Sequence, residues 1–431
     1  MGAAADRLGG LDDPDTSFLR INLRYLRALS AVASAGSIAA AAEGLFRVSS
    51  AVTRSISELE TTLGRKLFER HPRGMMLTPC GAMVLKRAQR IEQEFDLARA
   101  QLVARGGIGP SVEVKSLFAS ILNGRRLAVF ASLAEKRNMP TVAREFGITQ
   151  PGVSTALKDL ESGLGVRLME RSARGLNPTV AGDIVAFYFK RALAELRHIV
   201  PDILAQEGTL QGDIHIGALP LGRTRVVPAA IARLLEQHQG LRVFTVESPY
   251  EALAAGLRSG DIDFIFGALR SGPEGTDLHQ ESLFEDQLSV IARADHPLAR
   301  SRRLDFDTLR QAQWVLSRRG SPSRELLELS FLKEKESVPV PSVETGDLAV
   351  LRGLLLESDM ITAISAHQLR YEIQNGSLVI LRFLLDDTKR DIGLIQRVGA
   401  FPSPGTNAML GELRRVVAEQ EDFRPRRRPD R

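Results

Sequence analysis

Residues 141–182 read TVAREFGITQPGVSTALKDLESGLGVRLMERSARGLNPTVAG, and this stretch decides how the chain is organised. Gly147 supplies a tight turn after a first short helix, and Thr149 stands where an N-cap begins a second helix. Pro151 suits the first turn of that helix, because an N–H there would have no partner. The pattern predicts two helices joined by a turn and followed by a short basic wing. The apolar positions of the second helix recur at helical spacing and are Val153, Leu157, Leu160 and Leu164.

The other face of the second helix carries short hydrogen-bonding groups and one cation. Such groups near a helix N-terminus suit the edges of DNA bases and the adjacent phosphates. Arginines in the wing are placed to contact the phosphate backbone. The candidate DNA-binding residues of this stretch are Gln150, Pro151, Ser154, Thr155, Lys158, Arg171 and Arg174.

An earlier stretch of the chain repeats this pattern. A shift of 101 positions aligns residues 23–81 with residues 124–182 without a gap. A solenoid is excluded, because two self-sufficient copies followed by unrelated sequence do not form a stacking array. The repeat predicts two similar modules, over 21–81 and 122–182.

An ordered set of short motifs runs through the second module. Its members are Gln150-Pro151-Gly152-Val153-Ser154, Leu160-Glu161, Leu164-Gly165, Leu168, Glu170-Arg171, Arg174-Gly175 and Thr179 to Gly182. The set resembles the winged helix-turn-helix of LysR-type transcriptional regulators. The resemblance implies that the chain binds double-stranded operator DNA under the control of a small-molecule effector. The family usually has one copy of the module, so the duplication is a departure.

The first copy differs from the family motif at the reading positions, where Ser49 and Ser50 replace Gln-Pro. Arg54 is the residue of this copy that we most expect to contact DNA. Residues 20–90 hold 12 basic and 4 acidic residues, net +8, and residues 120–182 hold 9 and 5, net +4. Both modules are therefore cationic, as a polyanion binder must be. The candidate DNA-binding residues of the first copy are Ser49, Ser50, Thr53, Arg54, His71 and Arg73.

Two interpretations of the first copy stay open. It is either a second DNA reader or a protein-interaction or oligomerisation module, in which case only the second copy reads DNA.

Each module is followed by an apolar-striped segment. Residues 82–104 predict a helix inside a linker and hinge over 82–110, which ends in glycines and a proline. Residues 183–206 predict a second helix inside a linker over 183–208. The resemblance implies that this second helix pairs two subunits, so we expect a homodimer or a homotetramer.

From residue 212 short strands alternate with helices, which predicts parallel sheets covered by helices. This part holds 24 basic and 28 acidic residues, net −4, so it suits a small molecule better than nucleic acid. It resembles the effector domain of the same family, a two-lobed α/β domain like a periplasmic binding protein, over 212–420. Lobe I covers 212–285 and 390–420, and lobe II covers 286–385. The predicted fold is thus multidomain α/β, with two all-α winged modules and their linker helices before the two-lobed domain.

Ligands of open α/β folds lie at strand C-termini and helix N-termini. Arg318 and Arg319 either pair with a carboxylate or phosphate or form a solvated pair. A segment running from Glu247 to Arg270 resembles the subgroup that regulates sugar-binding-protein genes. The arginine pair makes an anion one expected effector, and the subgroup resemblance makes a sugar the other. The candidate effector-binding residues are Leu219, Arg223, Thr224, Arg270, Ser271, Ser317, Arg318, Arg319, Ser321, Thr345 and Ser365.

Several classes of protein are excluded by composition. The single Cys80 of the 431 residues rules out an internal disulfide framework and favours the cytoplasm. Cys80 itself is either a redox sensor or a small packing residue. We expect no membrane partner, because no run of 18 apolar residues exists and the start lacks the features of a signal peptide. Residues 1–20 and the basic segment 421–431 are expected to be disordered.

Catalytic motifs are also lacking. The seven histidines never form HxxxH pairs, and no GxSxG elbow, Walker loop or dinucleotide fingerprint appears. We therefore predict no metal, no cofactor and no enzymatic activity. The sequence predicts a cytoplasmic DNA-binding transcription regulator, with RNA polymerase as a further expected partner.

Overall fold

A computed structural model describes residues 17–72, 74–109, 124–172, 175–270 and 277–419. Residues 1–16 of the predicted disordered lead, hinge residue 110 and the predicted tail lie outside the described residues. The expectation of disorder is wrong for the end of the lead, where Ser17–Arg20 form a 3₁₀ helix. The same holds for three candidate site residues, Arg73, Arg174 and Ser271.

The described chain forms two compact units. The first contains the chain up to Gly212 together with Ser259–Asp261, and the second contains Asp213–Arg258 and the chain from Ile262 onward.

Three helices and a two-stranded wing form the first module. Asn22 Oδ1 accepts a hydrogen bond from Arg24 N at 3.0 Å, and Ser37 Oγ accepts one from Ala40 N at 3.2 Å. These caps satisfy N–H groups that would otherwise lack partners at the starts of the first two helices. The elements are α1 (Leu23–Ala35), α2 (Ile38–Gly44), α3 (Ser49–Leu63), β1 (Phe68–His71) and β2 (Gly74–Leu77).

The long helix α4 (Pro79–Ala104) follows, and the second module then repeats the architecture of the first. Thr78 Oγ1 caps α4 by accepting from Gly81 N at 2.9 Å, and Thr179 Oγ1 caps the equivalent helix by accepting from Gly182 N at 3.0 Å. The elements are α5 (Gly124–Lys136), α6 (Met139–Glu145), α7 (Gln150–Leu164), β3 (Met169–Ser172), β4 (Gly175–Pro178), α8 (Val180–Arg197) and α9 (Ile199–Gln206).

Two details of the first unit differ from the sequence expectation. The modules predicted to be all-α each contain a two-stranded antiparallel sheet, with Phe68 opposite Leu77 in the first wing. The helix predicted over 183–206 is broken at His198 into α8 and α9. Pro201 explains the break, because it has no N–H for the carbonyl of Arg197 and its ring crowds that carbonyl.

One continuous hydrophobic core runs through the first unit. It joins the cores of both modules to the buried faces of α4, α8 and α9. The ring of Phe189 on α8 meets Phe95 of α4 edge to face, with centroids 5.9 Å apart. The apolar face of the second linker helix therefore has a partner within the same chain.

The second unit is built on two five-stranded sheets, one for each lobe. Its elements are β5 (Gly212–Ala218), α10 (Pro220–Arg223), α11 (Val226–Gln237), β6 (Leu241–Val246), α12 (Tyr250–Ser259), β7 (Phe264–Ala268), β8 (Leu278–Asp286), β9 (Leu288–Arg293), α13 (Phe306–Gln311), β10 (Gln313–Leu316), α14 (Pro322–Lys333), β11 (Val343–Glu344), α15 (Leu348–Glu357), β12 (Met360–Ser365), α16 (Arg370–Gln374), β13 (Leu378–Leu384), β14 (Arg390–Arg397) and α17 (Pro404–Ala418).

The strand order is β6-β5-β7-β14-β8 in one lobe and β11-β10-β12-β9-β13 in the other. The expectation of parallel sheets is wrong in part, because both sheets are mixed. β5 and β7 are parallel, whereas β14 runs antiparallel to β7 and β8. The chain crosses from lobe I to lobe II after β8 and returns to lobe I before β14. Strand β14, which follows the return, runs antiparallel to its neighbours β7 and β8. Strand β8, a nine-residue edge strand, was not predicted, because its exposed positions are polar and charged.

Among the described residues, no single helix has both the length and the apolarity needed to cross a bilayer. Helices α1 and α2 meet those criteria only when taken together, and they are bent by 116°.

Candidate nucleic-acid interface and ligand cleft

The recognition helix of the second module is α7. Thr149 caps it, with Oγ1 accepting from Gly152 N at 3.2 Å. Its apolar positions, among them Val153 and Leu160, are buried, which turns the opposite face to solvent. On that face Gln150, Pro151, Thr155 and Lys158 are exposed and Ser154 is half-buried, while Arg171 is exposed on β3.

The equivalent helix of the first module, α3, begins differently. Val48 is at the N-cap position and its side chain accepts no hydrogen bond. Ser49, Ser50 and Thr53 are exposed, and Thr53 Oγ1 donates to Ser49 O at 2.9 Å. The Arg54 side chain is exposed too, with Nε 3.8 Å from Glu58 Oε1. His71 is exposed at the end of β1.

The turns that precede these two helices also differ. Phe46 has a φ of 55° and is 98% exposed, whereas the equivalent Gly147 has a φ of 59°. A bulky residue in the left-handed region is strained, and glycine is not. The first module thus presents an aromatic ring where the second presents bare backbone.

A glutamate docks the wing onto the recognition helix in both modules. Glu161 Oε1 accepts hydrogen bonds from Leu168 N at 2.7 Å and from Met169 N at 3.2 Å. Glu60 accepts equivalent bonds from Leu67 and Phe68, at 2.9 and 3.4 Å. Sequence reasoning matched these glutamates between the two copies without assigning them a role. Their place in both copies, shortly before the wing, was the available signal.

Two glycines are fixed by close backbone approach in the same region. A Cβ at Gly81 would overlap the carbonyl oxygen of Leu67, and one at Gly182 would overlap that of Leu168. The helices that follow the wings therefore start in direct contact with the residue that precedes the first strand of each wing.

In the second unit, Arg223 and Thr224 bring lobe I against lobe II. Thr224 Oγ1 lies 3.5 Å from the carbonyl oxygen of His367. Burial lowers the pKa of Arg223, against the attraction of Glu247 and of Asp347 in lobe II. Both sequence-predicted residues therefore lie where lobe I meets lobe II. Neither acidic neighbour nor His367 was predicted as a site residue.

Lobe II contributes a cluster of hydroxyl groups at the ends of β10 and β11. Ser317 Oγ lies 2.9 Å from Ser321 Oγ and 3.1 Å from Ser323 Oγ. Thr345 N donates to Leu316 O at 3.0 Å, which places the end of β11 beside the cluster. Ser321 is the N-cap of α14, yet its side chain makes no capping hydrogen bond.

The remaining predicted effector residues have other surroundings. Arg318 and Arg319 are exposed, and Arg318 lies alongside Gly346. The guanidinium of Arg270 stacks on the ring of Tyr250 at 4.4 Å. Leu219 is buried in the core of lobe I.

Ser365, at the end of β12, lies beside the crossover between the lobes. It is fully buried and its Oγ donates to Asp286 Oδ1 at 2.6 Å. Arg390 donates to Asp286 Oδ2 at 2.9 Å from the returning crossover. Ser365 is therefore engaged in holding the two connections together.

Within the described ranges, no group of three or more His, Cys, Asp or Glu side chains is placed to hold a metal ion.

Two family models match the chain. "LysR substrate binding domain" matches residues 207–418, and "Bacterial regulatory helix-turn-helix protein, lysR family" matches both 23–82 and 125–183.

A full-length relative matches nearly the whole chain. The HTH-type transcriptional regulator GalR of Pseudomonas putida is 48% identical over 399 residues, which cover 93% of this chain and 98% of that protein. A match to 93% of the chain cannot be confined to the part that begins with the second module, so it extends into the first module. The uncharacterized HTH-type regulator YdcI of Escherichia coli is 26% identical over 310 residues, covering 71% of this chain and 99% of that protein.

Solved structures agree in fold. Full-length CbnR in complex with its target DNA has a TM-score of 0.50 at 19% identity, covering 68% of this chain and 100% of that chain. A full-length OxyR variant from Pseudomonas aeruginosa has a TM-score of 0.53 at 21% identity, covering 72% and 99%.

Proposed function

The chain belongs to the LysR family of transcriptional regulators, and on that premise we propose how its modules and its ligand domain share the work. Membership confirms the predicted regulatory function and places the chain among DNA-binding regulators rather than enzymes. It also confirms the combination of helix-turn-helix DNA binding with an effector-binding domain.

We propose that α7 reads bases in a major groove through Gln150, Ser154 and Thr155, with Lys158 and Arg171 on phosphates. The observation that carries this proposal is the exposed polar face at a capped helix N-terminus, opposite a fully buried apolar face. The N-terminus of α3 has no side-chain cap, but its polar face is exposed in the same way, and we propose that α3 reads a second site through Ser49, Ser50, Thr53 and Arg54. His71 lies in the wing, where it is placed to meet phosphate.

The test is selection of operator sequences from random DNA by the purified full chain. A regulator should bind the selected sequence about 10³-fold or more tightly than scrambled DNA at physiological salt. Binding that does not distinguish the selected from the scrambled sequence would contradict the proposal.

A second function for the first module is favoured by its exposed apolar turn. Phe46 and Val48 are 98% and 67% exposed beside the start of α3. Such a turn suits contact with another protein. Arg54→Ala separates the two possibilities: a DNA reader loses affinity for the selected operator, whereas an interaction module leaves it unchanged.

We propose that the effector is a small anion held between the lobes. Arg223 supplies a positive charge from lobe I, and the Ser317, Ser321 and Thr345 hydroxyls meet it from lobe II. The uncapped N-terminus of α14 adds N–H donors that favour an anion. Because Arg223 faces lobe II, a bound anion would change the attraction between the lobes and so favour one lobe arrangement over another.

Two measurements test the cleft. A thermal-shift panel should show stabilisation by carboxylates and none by neutral sugars, and the reverse result would replace the anion with a sugar. The pair Thr224→Phe and Ser317→Leu should abolish the effector response while leaving DNA binding intact. The matched control is Gln237→Phe with Gln311→Leu, at exposed positions of the same two lobes.

Homodimeric or homotetrameric assembly of this chain, a cytoplasmic location and contact with RNA polymerase remain predictions. Crosslinking of the operator complex with purified polymerase would test the last of these.

A further inference from the structure

Helices α4 and α8 pair within the chain about an approximate two-fold axis. Arg90 Nε donates to Glu195 Oε1 at 2.7 Å, and Arg191 Nη2 donates to Glu94 Oε1 at 2.7 Å. The shift of 101 positions that relates the two modules turns Arg90 into Arg191 and Glu94 into Glu195. The two ion pairs are therefore copies of one contact, as in an isologous dimer interface.

The pairing is antiparallel and places the two modules at opposite ends. Cys80, at the start of α4, lies 3.3 Å from Gln206 at the end of α9, measured from Sγ to Oε1. Gly107, just beyond the end of α4, lies beside Ala181 at the start of α8. Since α4 has 26 residues, the starts of α4 and α8 are about 39 Å apart along the helix axis. Each module directly precedes the start of its linker helix, so the two modules are separated by a distance of this order, which is comparable to the DNA turn of about 34–36 Å that separates the half-sites read by a two-fold pair of recognition helices.

One further contact breaks the symmetry. Arg87 is 0% exposed and donates to Asp202 Oδ2 at 2.7 Å and to Glu195 Oε2 at 2.6 Å. Burial raises the pKa of Asp202, against the hydrogen bond and charge of Arg87. The same shift of 101 positions turns Arg87 into Tyr188 and relates Asp202 to Gln101.

The broken symmetry makes like helices poor partners for each other. Two first-copy helices in this arrangement would leave Arg87 facing Glu94, the counterpart of Glu195, but would set the uncharged Gln101 in the place of Asp202. Two second-copy helices would set the buried Asp202 against Tyr188, which supplies no countercharge. A buried carboxylate without its cation is strongly unfavourable, so the unlike pair is favoured because it gives Asp202 the charge of Arg87.

We propose that one chain is a complete two-headed DNA reader whose operator is an inverted pair of unlike half-sites. The α3 end reads with Ser49, Thr53 and Arg54, and the α7 end reads with Gln150, Ser154 and Thr155 at the equivalent positions. Because these side chains differ, the two half-sites differ in sequence and the operator of one chain is not a palindrome. This inference rests on the proposed function, in that both modules must contact DNA.

The first experiment compares operators selected from random DNA by two full-length chains. The native chain should select two unlike half-sites about one helical turn apart. The variant V48T/S49Q/S50P/T53S/R54T, which gives α3 the reading residues of α7, should select a palindrome of the second half-site. The control T61S/T62S alters exposed positions at the other end of α3 and should select the native operator. A palindrome selected by the native chain would overturn the inference alone, whereas failure to select any sequence would overturn the proposed function with it.

The second experiment tests whether the pair forms within one chain. One variant, S49A/R54A, lacks base-reading side chains in the first module, and the other, Q150A/S154A, lacks them in the second module. Each should bind an operator fragment with a single half-site pair about tenfold or more weakly than the native chain. When the two variants are co-expressed, no tight-binding fraction should appear. Pairing of α4 with α8 within one chain always joins one intact module to one module that lacks its base-reading side chains. Recovery of native affinity in the co-expressed mixture would show pairing between chains and overturn the proposal.

Discussion

The two winged modules keep the same contacts where they touch their own backbone and differ where they face outward. Glu60 and Glu161 dock their wings in the same way, and Gly81 and Gly182 allow the same close approach. At the outward edge Val48 replaces a capping threonine. Residues that make contacts inside a module are therefore the same in both copies because the fold requires them. Residues on the exposed face proposed to contact DNA differ, so each copy can recognise a different DNA sequence.

The paired helices show the same division within one interface. Arg90 and Glu195 have their repeat-related counterparts in Arg191 and Glu94, whereas Arg87 has none. The shared contacts are consistent with a common pairing geometry, and the unshared contact selects the unlike partner. Substitutions that make the two copies more alike, or that remove residues found in one copy only, should therefore show which differences matter for pairing and for DNA recognition.

The largest expected effect comes from Arg87→Tyr, which gives α4 the residue of α8. It leaves Asp202 buried without its cation, and breaking a buried ion pair in this way costs about 3–5 kcal/mol. Urea unfolding of the full chain should show this destabilisation for the first unit.

Lys86→Met is the matched control for Arg87→Tyr, because it removes a charge from an exposed position of the same helix. It should change the free energy of unfolding by about 0.5 kcal/mol or less. Equal destabilisation by the two variants would mean that burial of the Arg87 charge is not what matters.

The next effect concerns the reading faces. Gln150→Ala with Ser154→Ala should lower the affinity for the native operator relative to scrambled DNA by about 1–3 kcal/mol for each hydrogen bond to a base that is removed. Ser49→Ala with Arg54→Ala should do the same at the other half-site only. Competition binding with operators altered in one half-site at a time measures this. If both variants reduced selectivity at the same half-site, the assignment of one half-site to each module would be wrong.

Much of the second module was predictable from its sequence, because its signals are local. The apolar spacing of α7 and the cap at Thr149 follow from neighbouring residues. The docking role of Glu161 was not predictable in the same way, because it depends on where the wing strands fold back. An apolar stripe on a helix does not identify its partner, so the second linker helix was expected to pair two subunits and its pairing with α4 within one chain was not predicted.

In the ligand domain the sequence placed residues at the right edge of the sheets but not their contacts. Thr224 and Ser317 were predicted from their positions after strands; Thr224 lies against His367 of lobe II, and Ser317 belongs to a hydroxyl cluster at the end of β10. Ser365 was predicted by the same rule, yet it is taken up by Asp286. The difference arises because the chain crosses between the lobes beside Ser365. Asp286, at that crossing, is distant from Ser365 in the sequence, so the residues around Ser365 do not reveal the contact.

A smaller effect separates phosphate contacts from base contacts. Lys158→Ala should weaken binding to operator and scrambled DNA alike and reduce the slope of log K against log salt by about one unit. Salt titration of both DNAs by fluorescence anisotropy measures this. Ser57→Ala is the control, since Ser57 holds the equivalent uncharged position in α3, and it should leave the slope unchanged. Weakening confined to the operator would instead mean that Lys158 contacts a base.

The smallest effect concerns the first turn of the recognition helices. Val48→Thr should supply α3 with the capping hydrogen bond that Thr149 gives α7, and Thr149→Val should remove it from α7. An N-cap of this kind contributes about 0.5–2 kcal/mol, typically about 1, so the two variants should shift the free energy of unfolding by similar amounts in opposite directions. Thermal unfolding of both full-length variants measures the shifts. The reciprocal pair removes side-chain composition as an explanation, because the same exchange is made at equivalent positions in both directions. If Val48→Thr gave no stabilisation while Thr149→Val destabilised the chain, the left-handed backbone at Phe46, rather than the missing cap, would limit the stability of the first turn of α3.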